Sequence, residues 1–334
     1  MNKQTVAVLD FGSQYTQLIA RRIREQNVYS EILPHTITAE ELNKKNVPAI
    51  ILSGGPSSVY DKNAPQVDPS ILSMGIPVLG ICYGLQLMIT QNGGNVTHKG
   101  QGEYGFAKMH TVNESPLLTN LANESQVWMS HGDEIDSLGN GFEIIAKSSN
   151  DVIAAIHHKD QPLYGVQFHP EVIHTIDGKT IISNFLFNIA QCKADWTAAN
   201  FISETISKIQ DITGDNGKVI TGLSGGVDSS VVGTLLHKAI GLRSTCVFID
   251  HGLLRKNESD QVMGTLKEGL GLNIHKYDYA ETFLSKLKGI TDPEKKRKII
   301  GEQFIRAFES VAKDKENAQF LAQGTLYPDV IESG

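Results

Sequence analysis

The chain is 334 residues long, 40% apolar and 20% charged, which is enough material for two domains of roughly 150 residues each. Its 30 basic and 37 acidic side chains leave a formal charge of −7, which argues against a surface built for nucleic-acid backbone or anionic lipid. The three cysteines, Cys82, Cys192 and Cys246, are too few and too scattered for a disulfide framework and suit a reducing, cytoplasmic setting, and no stretch is long and apolar enough for a signal peptide or a membrane span.

In chain order, Thr5–Leu9, Ala49–Leu52 and Pro77–Ile81 are continuous apolar runs of the kind buried on both faces of a parallel sheet. Tyr15–Arg24 and Leu85–Ile89 carry helical spacing between them, which makes an α/β pattern. From Val127 the runs become strand-like and close together: Val127–Ser130, Phe142–Ala146, Ile153–His157 and Leu163–Gln167. A mixed sheet is therefore expected, followed by a helix over Ile181–Ala190. The polar stretch Gln191–Asn200 reads as a boundary. A second α/β series follows, with strands at Lys218–Leu223 and Thr245–Ile249 and helices at Ser229–Ala239 and Glu258–Gly269. The charged run Asp292–Lys298 reads as a solvated loop or a first helical turn.

The first motif with chemistry in it is Gly80-Ile81-Cys82-Tyr83-Gly84, between a buried strand and a helix. This is the form of a nucleophile elbow with cysteine at its tip. The flanking glycines allow the sharp turn, and the helix N-terminus aims its amide dipoles at the thiol. A buried core cysteine would read the same on this motif alone. A cysteine nucleophile needs a base and a group to orient it. Gly165-Val166-Gln167-Phe168-His169-Pro170-Glu171 supplies both at the end of another apolar strand. If the chain stays extended there, His169 and Glu171 project to one side. His35, His98, His110, His157 and His158 have no such company and are assigned to structure or surface. The amide of Tyr83 and the glycine loop Ser53-Gly54-Gly55-Pro56 are the candidate oxyanion donors.

These segments, together with Trp128-Met129-Ser130-His131-Gly132-Asp133, stand in the order found in class I glutamine amidotransferases, which the first half resembles. The resemblance implies a flavodoxin-like core with a mixed sheet. It also implies that Cys82 forms a γ-glutamyl thioester and releases ammonia, His169 shuttles the proton, and Glu171 orients His169. Gly55, Tyr83, Gln86, Ser130 and His131 match positions that hold glutamine or the oxyanion.

In the second half, Ser224-Gly225-Gly226-Val227-Asp228-Ser229-Ser230 joins a strand to a helix. Such a loop at a helix N-terminus is an anion cradle, with hydroxyls as further donors. It is not the Walker form: no lysine follows the glycines, and Asp228 makes sense beside phosphate if Mg²⁺ lies between them. The loop is similar to the pyrophosphate loop of N-type ATP pyrophosphatases, shared by asparagine, argininosuccinate, NAD and GMP synthetases, and implies an adenine-nucleotide alpha-hydrolase-like parallel α/β domain. Joined to a triad glutaminase it resembles the GMP synthetase family. So do Phe248–Arg255, Glu294–Gly301 and Gln323–Asp329.

That resemblance implies a glutaminase domain at 1–193, a linker at 194–200 and an ATP pyrophosphatase domain at 201–334, incomplete at its C-terminus. The expected substrates are glutamine, ATP with Mg²⁺, and xanthosine monophosphate (xanthylate). Ser224–Ser230 would bind ATP and Asp228 the metal. Arg297 would contact xanthylate from a mobile lid, and nucleotide binding or lid closure would gate Cys82. The resemblance also implies homodimers formed through a C-terminal domain, which is expected to be missing from this sequence. A glutaminase subunit serving a separate partner, or a nucleotide-binding fragment without full synthetase activity, stays open at this point.

Overall fold

The computed structural model describes residues 4–314 and 318–324. The chain divides into two compact units, Met1–Thr197 and Ala198–Gly334. The first contains strands β1 (Val6–Asp10), β2 (Ser30–Pro34), β3 (Ile50–Leu52), β4 (Val78–Ile81), β5 (Asn95–Thr111), β6 (Glu124–Ser137), β7 (Phe142–Ser148), β8 (Ile153–His158) and β9 (Leu163–Val166), with helices α1 (Thr16–Arg24), α2 (Ala39–Lys44), α3 (Tyr83–Gln91) and α4 (Gly178–Ser183). Among the described residues these strands form one nine-stranded sheet, ordered β2-β1-β3-β4-β9-β8-β7-β5-β6. The half from β2 to β9 is parallel, and the pairs from β9 to β6 are antiparallel. The expected mixed sheet is thus present.

The parallel half follows from the run of apolar residues. Successive side chains of a strand point to opposite faces. Val6, Val8, Ile51, Leu79 and Ile81 pack with Ile19 and Ile23 of α1, while Ala7, Leu9, Ile50, Leu52 and Val78 pack with Leu85, Leu87 and Met88 of α3. Both faces are covered, so the strands alternate between two cores and are apolar throughout. Helix α3 is itself buried from Tyr83 to Ile89, as expected of a helix apolar on all sides.

The second unit contains α5 (Ala198–Thr213), β10 (Lys218–Gly222), α6 (Val227–Ile240), β11 (Ser244–Asp250), α7 (Glu258–Val262), β12 (Ile274–Asp278), α8 (Ala280–Leu287), α9 (Pro293–Asp314) and β13 (Ala318–Ala322). Its sheet, ordered β12-β11-β10-β13, is parallel throughout. Connections leave β10 to one side and return at β13 on the other, so the loop after β10 opens at a topological switch point, where α/β sheets bind ligands.

Several local readings change. Ile181–Ala190 is not one regular helix: α4 passes into a π-helical turn at Asn184–Ile189, and α7 passes into another at Met263–Gly269. The polar stretch at 191–200 already holds the start of α5, whose apolar face was obscured by the flanking charges. The run Asp292–Lys298 lies in the opening turns of the 22-residue α9, where the Lys295 amide donates to the Asp292 carboxylate at 2.7 Å. Residues 325–329 of the last resembling stretch lie outside the described residues.

Candidate active site

Cys82 sits between β4 and α3 at φ +50° and ψ −106°, a conformation that a non-glycine residue adopts only under local constraint. The constraint is visible in its neighbours. A Cβ on Gly80 would lie 2.7 Å from the Gly84 carbonyl carbon, and one on Gly84 would lie 2.4 Å from the Leu52 carbonyl oxygen. Only glycine lets α3 start this close to β3 and β4. The Cys82 amide donates to the Val166 carbonyl at 2.8 Å, and the Gln86 amide to the Cys82 carbonyl at 3.1 Å. The elbow is therefore tied to the end of β9, the strand that leads to His169.

His169 and Glu171 follow β9 after bends at Gln167 and Phe168, with Glu171 in a turn, rather than continuing the strand. The condition assumed for their common direction does not hold. The turn itself brings them together: His169 Nδ1 and Glu171 Oε1 are 2.8 Å apart, with His169 4% and Glu171 0% exposed. The turn is held by Thr175, whose hydroxyl donates to the His169 carbonyl at 2.6 Å, and by Arg22, whose Nε donates to the Glu171 carbonyl at 2.8 Å. Tyr15 meets the imidazole edge-on at 5.1 Å.

Burial, the largest influence on His169, disfavours its charged form. The charge of Glu171, 2.8 Å away, and the neighbouring Cys82 outweigh it and raise its pKa from 6.5 to about 10. The ring lies beside Cys82, and its 2.8 Å contact with Glu171 favours the protonated imidazole.

The Ser53–Pro56 loop follows β3. Ser53 is fully buried, and its hydroxyl accepts from the Phe11 amide at 3.0 Å and donates to the Gly54 carbonyl at 2.8 Å. A Cβ on Gly54 would lie 3.2 Å from the His169 ring, and one on Gly55 would lie 2.7 Å from the Phe11 carbonyl oxygen. The loop backbone thus borders His169. Tyr83 opens α3 directly after Cys82, where helix amides lack intrahelical acceptors. Its phenol points elsewhere, donating to the Pro65 carbonyl at 2.6 Å, and burial, helped by the charge of Asp61, pushes its pKa up to about 12.

Ser130 and His131 lie on β6, paired across to β5. The Ser130 carbonyl accepts from the Cys82 thiol at 3.6 Å. His131 is buried, which pushes its pKa down despite the charge of Glu103. Its Nδ1 lies 3.0 Å from the Asp133 carbonyl, and its Nε2 lies 3.7 Å from Glu103. Gln86 is turned into the protein, its Nε2 donating to the Asp133 carbonyl at 3.0 Å and to Gln167 Oε1 at 3.3 Å.

Gln167 and Tyr15 were not singled out from sequence. Gln167 could have been found, since Gln167, His169 and Glu171 alternate as polar residues at the end of an apolar strand. His98 is not isolated: its Nδ1 lies 3.1 Å from Asp133 Oδ1, while Ser58 donates to Oδ2 at 2.5 Å. His157 lies 3.5 Å from Glu143, and His110 lies 3.7 Å from Glu124.

In the second unit, Leu223–Gly226 separates β10 from α6, with Gly225 at φ +80° and Gly226 as the residue before the helix. The loop bonds to itself. Ser229 Oγ accepts from the Ser224 amide at 3.2 Å and lies 3.0 Å from Ser224 Oγ, and Ser230 Oγ donates to the Gly226 carbonyl at 2.7 Å. Val227 is 78% exposed, and the Asp228 carboxylate is open to solvent in the first turn of α6. Gly222, Ser224, Ser229, Phe304, Phe308 and Gln323 border a cleft of about 470 Å³. No cluster of three or more His, Cys, Asp or Glu is placed to hold a metal among the described residues. Arg297 is 83% exposed on α9 and pairs with Glu294 at 3.4 Å. No described helix is long and apolar enough to cross a membrane.

A cysteine elbow, a buried His–Glu pair and a glycine loop at the ends of parallel strands give the first unit the arrangement of a triad-type amide hydrolase. The family description Glutamine amidotransferase class-I matches residues 7–189, and the chain belongs to that family. A second description, NAD synthase, matches residues 197–307. The chain is 55% identical over 332 residues to the GMP synthase [glutamine-hydrolyzing] of Listeria innocua, covering 99% of this chain and 64% of that protein. It is 54% identical over 334 residues to the enzyme so named from Lactobacillus delbrueckii subsp. bulgaricus, covering 100% of this chain and again 64% of the relative. The chain thus spans just under two-thirds of the length of these curated relatives. Among solved structures, a candidate GMP synthase subunit from Thermoplasma acidophilum superposes with a TM-score of 0.52 at 29% identity, covering 61% of this chain and 99% of its own.

Proposed function

We propose that this chain carries the glutaminase and ATP-using portions of a glutamine-dependent GMP synthetase. The observation that carries the reading is the formed Cys82–His169–Glu171 arrangement in a chain whose second unit opens with a phosphate-type loop, at 54–55% identity to GMP synthases over nearly its full length. A free-standing glutaminase would not need the second unit.

In this reading Cys82 Sγ attacks the side-chain carbonyl carbon of glutamine. The oxygen becomes an oxyanion held by the amides of Tyr83 and Gly55. His169 takes the Cys82 thiol proton as sulfur attacks and then gives it to the departing nitrogen, and ammonia leaves as the γ-glutamyl thioester forms. Water, deprotonated by His169, then attacks the thioester and releases glutamate. Glu171 holds the imidazolium in place through its 2.8 Å contact. Ser130 and His131 border the site from β6, and Gln86 supports it from one turn behind the nucleophile.

In the second unit Ser224–Ser230 would hold the pyrophosphate of ATP. The C2 oxygen of xanthylate attacks the α-phosphorus, pyrophosphate leaves, and ammonia displaces AMP to give GMP. Mg²⁺ is usually bound by one or two carboxylates together with substrate phosphates. The single carboxylate of Asp228 fits such an ion and would hold it, where it would neutralise charge on the phosphates. Arg297 would contact xanthylate as α9 closes. The unpaired, buried Cys192 and Cys246 suit a cytoplasmic location for this chemistry.

The test is AMP and GMP formation from ATP, Mg²⁺ and xanthylate, with ammonium chloride and then glutamine as the nitrogen source. Product from both donors is expected if both sites are complete and communicate. Glutamine hydrolysis without product from either donor would limit the reading to the glutaminase.

A further inference from the structure

We infer that Gln167 is a positioning residue for the nucleophile, holding the Cys82 sulfur through a buried carboxamide relay anchored on β6. The inference rests on the glutaminase reading above and adds a residue to it. Gln167 is 0% exposed, its backbone amide is fixed to the Ala154 carbonyl at 2.8 Å, and its Nε2 lies 3.6 Å from Cys82 Sγ.

The direction of each amide in the relay follows from one backbone group. The Asp133 carbonyl can only accept, so the Gln86 atom 3.0 Å from it is the NH₂ group. The same NH₂ lies 3.3 Å from Gln167, which must present an acceptor there, and so presents Oε1. The remaining end of the Gln167 carboxamide, its NH₂ group, therefore faces sulfur. Flipping Gln167 would set two donors against each other beside Gln86 and leave buried polar atoms unmatched, which is costly.

The consequence for the reaction is a division of roles around sulfur. As a thiol, Cys82 donates to the Ser130 carbonyl at 3.6 Å. Once its proton has moved to His169, that carbonyl no longer has a donor to accept, while the Gln167 NH₂ still has an acceptor. Gln167 thus favours the reactive form of sulfur and keeps it directed from the elbow. Hydrogen bonds to charged groups are stronger than neutral ones, so this contact strengthens at the moment of attack.

The experiment compares the full chain with Gln167→Met, which removes donor and acceptor at similar size, and Gln167→Glu, which keeps an acceptor for Gln86 but removes the donor toward sulfur. Two readouts are taken: steady-state glutamine hydrolysis, and alkylation of Cys82 by iodoacetamide, which needs no glutamine site. In both variants kcat and the alkylation rate are expected to fall about tenfold, with KM for glutamine within about twofold of the wild type. A wild-type kcat and alkylation rate in either folded variant overturns the inference, and so does a loss confined to KM, which would make Gln167 a wall of the substrate pocket. Should the Met variant fail to fold, the Glu variant decides. Absence of hydrolysis and of Cys82 alkylation in the wild-type chain would instead sink the glutaminase reading itself.

Discussion

The two candidate sites are built at the same place in their sheets and in opposite ways. Both open at the C-terminal ends of parallel strands, next to a helix N-terminus. In the first, Cys82, His169, Glu171, Gln86 and Gln167 are all at most 6% exposed and their directions are set by buried partners. In the second, Ser224, Gly226 and Asp228 are exposed and the serine hydroxyls satisfy one another. The difference is physical. A thiol–imidazole–carboxylate device works through charges that must be held apart from water, so it is assembled by folding. A loop that is to offer amides and hydroxyls to a charged ligand has to stay open, which is the state of Ser224–Ser230.

The sharpest way to break this contrast is to remove the nucleophile. Cys82→Ala is expected to lower glutamine hydrolysis by at least about 10⁴-fold and to abolish labelling by a reactive glutamine analogue, while ammonia-dependent turnover in the second unit is unchanged. Peptide mapping of the labelled wild type checks the assignment, and a label on Cys192 or Cys246 would contradict it.

The next largest effect concerns the buried pair. Glu171→Gln is expected to lower kcat by about 10²- to 10⁴-fold. It also changes the pH dependence of stability. A histidine whose pKa is raised from 6.5 to about 10 by folding stabilises the folded state fully below 6.5. That stabilisation is lost as pH rises through about 10. Thermal unfolding of the first unit is therefore expected to occur at progressively lower temperature between these values. The slope should flatten in Glu171→Gln, and an unchanged slope would show that Glu171 does not set the charge of His169.

How much of this was legible in the sequence depends on where the signal lies. The elbow, the His169–Glu171 pair and the Ser224–Ser230 loop could be read because glycines, a cysteine and polar residues interrupt apolar strands at characteristic points. The parallel strands β1, β3, β4, β10 and β11 were legible as apolar runs, whereas β2, β12 and β13, which mix polar and exposed residues, were not. The 17-residue β5 was not, because Asn95–Thr111 mixes glycine, lysine and histidine with few apolar residues and takes its strand form from pairing with β6. The Gln86–Gln167 relay was hidden because it joins residues 81 positions apart, which only the adjacency of α3 and β9 brings together. The turn at 167–171 shows the reverse case: the expected contact forms, but by a backbone path the alternation rule did not describe.

In the open site the expected losses are smaller. Asp228→Asn is expected to reduce Mg²⁺-dependent pyrophosphate release roughly tenfold to a hundredfold and to leave Cys82 labelling as in the wild type. Equal turnover by the variant at all Mg²⁺ concentrations would remove Asp228 from the metal site.

Arg297 gives the smallest effect on the fold and the cleanest separation of folding from binding. At 83% exposure, with Glu294 at 3.4 Å as its ion-pair partner, its contribution to stability is that of a surface pair, within about 0.5 kcal/mol. If the solvated face of α9 is all it serves, Arg297→Ala changes nothing else. If α9 closes over a nucleotide phosphate, the same guanidinium offers paired donors matched to phosphate oxygens, and its removal should raise the KM for xanthylate about tenfold with the unfolding temperature unchanged. Arg297→Lys should recover only part of that loss, because a point charge replaces the planar fork. A KM unaltered in both variants would leave this residue outside the acceptor site, with the charged opening of α9 serving solubility alone.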